Sequence, residues 1–109
     1  MFVAIYTTFS TLKEAKQFSR MVIEKRLGAC VNIISDVISF YRWKEIIEEE
    51  NELIVWIKTR ETLVENVEKL LKSVHSYETP AFIVYKIHTG SEEYLHWLRE
   101  ETEKSNIDR

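Results

Sequence analysis

Two glycines, one proline and one cysteine are all this chain of 109 residues holds of the types that bend, break or cross-link a backbone. A single cysteine, Cys30, rules out an intramolecular disulfide. Set within Ala29-Cys30-Val31-Asn32-Ile33, it reads as a small buried hydrophobe. With glycine only at Gly28 and Gly90, no glycine-rich loop is available to cradle a phosphate. Asp occurs only at Asp36 and Asp108 and Gln only at Gln17, so the acid is nearly all Glu, a composition suited to surface ion-pair networks. The formal net charge is −3, and the Lys and Arg residues are scattered among glutamates at helical spacings. That argues against a nucleic-acid footprint, which needs basic residues clustered on one face. No apolar run approaches the ~20 residues that span a bilayer, and no signal-peptide core opens the chain. The expectation is a soluble, cytoplasmic protein with no membrane partner, folded as a single domain over 1–109.

What is present is a clear alternation of patterns. Phe2 to Thr8 is rich in strand formers. Thr11, with Glu14 three residues on, signals a helix start, and Leu12, Ala15, Phe18, Val22, Ile23 and Leu27 recur at helical spacing up to Gly28, a candidate left-handed cap. Ala29–Ile34 and Val37–Trp43 read as one long strand or two, interrupted by a bulge at Ser35-Asp36. Part of the acidic stretch Lys44 to Asn51 must turn the chain back, and Leu53 to Ile57 returns as a strand buried on both faces. A hairpin this long, carrying Phe40, Tyr41, Trp43 and Trp56, would leave apolar surface exposed on a monomer, which implies a partner surface. Thr62 and Glu65 repeat the capping signal for a second helix through Val74. Ala81 to His88 is a fourth strand, and Ser91 caps a last helix. The order is that of an α+β, ferredoxin-like βαββαβ fold with a long β2-β3 hairpin and an extra C-terminal helix.

The polar cluster His75-Ser76-Tyr77-Glu78-Thr79-Pro80 stands where the second helix must stop, because Pro80 cannot continue it. His75 and Glu78, three residues apart at a helix end, bring an imidazole and a carboxylate to one face, a pair suited to a divalent transition metal. A closed site needs about four ligands, so the remainder must come from elsewhere, including another subunit. The competing reading is a His and Tyr that cap the helix end, with Glu78 in an ion pair. No nucleophile, base and orienting group occur together, so the chain is not expected to be an enzyme.

Taken together, Glu24 to Ile33, Tyr41-Arg42-Trp43-Lys44, Ile57-Lys58-Thr59, His75 to Pro80 and Tyr94-Leu95-His96-Trp97 resemble the CutA family, proteins associated with divalent-cation tolerance. The resemblance implies a ferredoxin-like subunit in a tight homotrimer, linked to copper and other divalent cations. On that basis His75 and Glu78 are the metal-ligand candidates, and Tyr77 and Trp43 line a cleft between subunits. No cofactor is required for folding. The family architecture also looks like that of PII-type signalling trimers, which implies as an alternative a small-molecule effector in those clefts. The chain departs from the family pattern at several positions. Glu45 replaces a common turn glycine, Ser35-Asp36 a Pro-Gly pair and Ser76 a proline. Thr7 and Val74 stand where some members are described with a copper-binding thiol and a histidine.

Overall fold

In the computed structural model, which describes residues 1–103, the chain runs β1 (Phe2–Phe9), α1 (Leu12–Glu24), β2 (Cys30–Trp43) and β3 (Ile46–Arg60). A 3-10 turn (Glu61–Leu63), α2 (Val64–Val74), β4 (Ile83–Lys86) and α3 (Glu92–Glu103) complete it. The strands form an antiparallel sheet in the order β2-β3-β1-β4. This is the expected ferredoxin-like α+β layout.

Alternation along the strands assigns the two faces. Val3, Ile5 and Phe9 of β1 and Val55 and Ile57 of β3 are fully buried, packed with Phe18 and Val22 of α1 and Val67 and Leu71 of α2. The intervening residues, Tyr6 and Thr8 of β1 and Glu52, Ile54 and Trp56 of β3, occupy the opposite face. There Trp56 makes ring contacts with Tyr6 and Tyr85. Only α1 and α2 share the first face. α3 reaches residues of the second face at the end of the sheet where β1 starts and β3 ends. Lys58 lies over the Tyr94 ring, Arg99 over Phe2, and Arg60 donates to the hydroxyl and carbonyl of Thr102, both at 2.8 Å.

Four expectations about boundaries need correction. β3 begins at Ile46, not Leu53, so the acidic stretch is strand and the whole turn is Lys44-Glu45. Both turn residues have positive φ, 50° and 69°, as a two-residue hairpin of this twist requires. Without glycine or asparagine each left-handed residue costs about 1–2 kcal/mol, and no turn signal is visible. Gly28 is not left-handed either. α1 ends in a Schellman arrangement in which Arg26 (φ 59°) takes that conformation, Leu27 N–H donates to the Val22 carbonyl (2.9 Å) and Arg26 N–H to that of Ile23 (3.1 Å). Arg26 is also held by its ion pair with Glu101, 2.8 Å. Thr62 does not cap α2: the 3-10 turn intervenes, and its hydroxyl instead accepts from Arg60. Finally, β3 is buried chiefly on its helix side. The bulge does form, with a register shift between Ile34 and Val37 and Asp36 at φ 62°.

Beyond that bulge the β2-β3 hairpin projects as an arm. Ile38 (60% exposed), Phe40 (67%), Ile46 (61%) and Ile47 (67%) lie open on it.

Candidate functional site

α2 stops at Val74, and His75 turns into extended backbone (φ −79°, ψ 139°). Its ring lies stacked on Phe9, with centroids 4.5 Å apart. Nε2 is 2.7 Å from the Thr8 carbonyl, and Nδ1 accepts the Tyr77 N–H at 2.9 Å. A carbonyl can only accept, so Nε2 carries the proton and Nδ1 the lone pair. Both nitrogens of the neutral ring are thereby engaged, and a metal ion at either one must displace a hydrogen bond. The imidazole fixes the first turn of the segment that follows.

That segment brings Tyr77 back over the sheet. Its hydroxyl donates to Glu52 Oε2 at 3.0 Å, and the Thr8 hydroxyl donates to the same oxygen at 3.4 Å. Burial, then the hydrogen bond and charge of Glu52, push the Tyr77 phenol far above its ordinary value, so it stays protonated and donating. Glu52 itself is only 7% exposed. Both hydrogen bonds it accepts go to Oε2; among the described residues, Oε1 takes none. Oε1 is not among the sealed, unpartnered polar atoms, so it keeps some accessible surface, and Glu52 lines a cavity.

That cavity is a cleft of about 450 Å³ at the base of the arm. Its floor is Tyr6, Thr8 and Glu52, one wall is Phe40, Tyr41 and Trp43 of β2 with Ser39, and the other is Tyr77 to Thr79 with Ala81. Of the residues singled out in the sequence, Trp43, Tyr77 and Glu78 meet at this cleft, whereas His75 stands behind its wall. Glu48 and Glu50 lie across from Tyr41 and Ser39 in the β2-β3 ladder, so Glu48, Glu50 and Glu52 form a carboxylate row on the cleft side of β3. The phenol of Tyr41 is raised above its ordinary value, first by lost hydration and then by the charges of Glu50, Glu48 and Glu52. Glu52 is the functional residue missed from sequence. The signal that could have found it was the two-residue spacing of Glu48, Glu50 and Glu52, once Ile46–Arg60 is read as one strand.

The family model described as CutA1 divalent ion tolerance protein matches residues 3–101. The chain belongs to the CutA1 family. It is 37% identical over 102 residues to the divalent-cation tolerance protein CutA of Pyrococcus horikoshii, covering 94% of this chain and 99% of that one. It is 42% identical over 100 residues to protein CutA of Mus musculus, covering 92% of this chain and 56% of that protein. The chain thus spans little more than half the length of its mammalian relatives. The solved structure titled the periplasmic divalent cation tolerance protein CutA from Archaeoglobus fulgidus superposes with a TM-score of 0.91 at 36% identity, covering 94% of this chain and 99% of that one.

Within this CutA1-family chain, Thr7, at the position matching the thiol of some members, is fully buried on the helix side of β1. It faces away from the cleft, and its hydroxyl has no partner among the described residues. Val74 ends α2 on the surface. Among the described residues no three His, Cys, Asp or Glu side chains converge to hold an ion, and no helix is long and apolar enough to cross a membrane.

Proposed function

We propose that this chain serves divalent-cation tolerance as a non-enzymatic, cytoplasmic homotrimer that binds copper-type divalent cations where its subunits meet. The observation that carries the cation reading is the carboxylate row Glu48, Glu50 and Glu52 running into a cleft whose far wall holds Glu78. Carboxylates aligned on one side of a concave surface focus negative potential and concentrate cations there. Exposed Glu78 is the most accessible donor at the rim. His75 joins it once its hydrogen bond to the Thr8 carbonyl opens, and a neighbouring subunit completes the ligand set. The bare apolar arm and the open face around Trp56 supply the surface that three subunits would share. The names of the relatives support the tolerance role.

Calorimetric titration of Cu(II) into the assembled protein tests this reading. Saturable binding at a fixed ratio per subunit is expected. It should weaken about tenfold or more in a variant carrying Glu48→Gln, Glu50→Gln and Glu78→Gln, a loss of roughly 1.4 kcal/mol or more. A His75→Ala variant should weaken it as well. Non-stoichiometric heat that these variants leave unchanged would remove the cation site.

A further inference from the structure

We propose that the cleft at the base of the arm is a binding site for a small organic cation, with a primary ammonium group on Glu52 Oε1 and an apolar body against the aromatic walls. Three observations converge on this chemistry. First, the floor carries a carboxylate more than nine-tenths buried, with one oxygen accepting from Tyr77 and Thr8 and the other accessible and, among the described residues, without a donor. A buried charge left half-satisfied is a standing demand for a cationic donor. Second, Tyr6, Phe40, Tyr41, Trp43 and Tyr77 surround it, and aromatic faces attract ammonium groups. Lys44 Nζ already lies 5.9 Å from the Trp43 ring centroid, although Lys44 does not itself line the cleft. Third, among the described residues no Lys, Arg or His side chain lines the cleft, while Glu78 and the row from Glu48 to Glu52 stand at or beside it. An anionic effector would meet repulsion from Glu52 on the floor of the cleft.

The volume, about 450 Å³, suits an amine carrying a single ring or a short chain. A primary amine is favoured over a quaternary one because Oε1 can accept a hydrogen bond, which a quaternary group cannot give. The inference stands apart from the metal reading: it rests chiefly on the buried carboxylate and the aromatic walls, and needs neither a metal ion nor His75.

The test is a calorimetric titration of phenethylamine into the full-length assembled protein, with EDTA present so that no metal contributes. Saturable binding is expected. It should be about tenfold or more weaker for 2-phenylethanol, the neutral analogue, and for a Glu52→Gln variant whose near-ultraviolet circular dichroism matches the parent. Trp43→Ala, at an exposed position that the core does not use, should weaken it about threefold. Absence of binding by phenethylamine would overturn the proposal. So would equal binding of the alcohol, an affinity unchanged in folded Glu52→Gln, or preferential binding of benzoate. Because copper is excluded, failure here leaves the cation-tolerance reading standing, and failure of the copper titration leaves this one standing.

Discussion

A Phe9→Ala variant is expected to lose about 3–5 kcal/mol of stability, the usual cost of emptying a fully buried aromatic site. Phe9 has no exposed surface and lies 5.3 Å from the Phe18 ring. Against a typical total of 5–15 kcal/mol, the loss would leave a marginal domain. The larger consequence is functional. Phe9 is the platform for His75, His75 fixes the turn that carries Tyr77, and Tyr77 holds Glu52. The variant should therefore lose ligand binding at the cleft under conditions where its far-ultraviolet spectrum is still native. Phe9→Leu, which keeps most of the volume, should cost much less. Urea denaturation of the three proteins measures the stability difference, and a loss below about 1 kcal/mol for Phe9→Ala would show that the core closes over the gap.

The second large effect is expected at Gly28, where a substitution as small as alanine should destabilise the fold by about 1–3 kcal/mol through overpacking. A Cβ at this position would sit 2.8 Å from both Ile57 Cγ2 and Val22 Cγ1. Both neighbours are fully buried, and both are β-branched side chains with little rotamer freedom to give way. The φ of Gly28 is negative, so alanine would gain about 0.4–1 kcal/mol from a stiffer unfolded chain. The clash outweighs that gain. Gly90 provides the contrast: its nearest neighbour would be 3.4 Å away, on the flexible Leu95 side chain, so Gly90→Ala should leave the thermal midpoint nearly unchanged. Equal midpoints for both variants would refute the packing argument.

Gly28 also shows how the sequence was legible and where it was not. Its place after an amphipathic stripe put the end of α1 about three residues too late: the helix stops at Glu24, Arg26 takes the left-handed position, and Gly28 is there for its close approach to β3, a tertiary fact. The element order followed from periodicity because strand and helix spacings differ and Thr11 and Ser91 do cap their helices. The arm was harder. Lys44 and Glu45 turn the chain without any residue that favours such a turn, so the acidic half of β3 read as loop. That error hid Glu52, since a glutamate placed in a loop raises no question of burial. Tyr77 and Glu78 were legible as part of a polar cluster at an element end, while Trp43 came from the family resemblance and the long arm; all three line the cleft. The hydrogen bonds that occupy both His75 nitrogens come from Thr8, far away in sequence, and from a backbone turn, neither of which spacing can reveal.

The most direct measurement is the mass of the purified protein by light scattering at micromolar concentration. The proposed homotrimer predicts a particle of three times the 13.0 kDa chain, held without added metal through the apolar arm and the open sheet face. A monomer mass under the same conditions would contradict the account, because the carboxylate row would then have no neighbouring subunit to complete it.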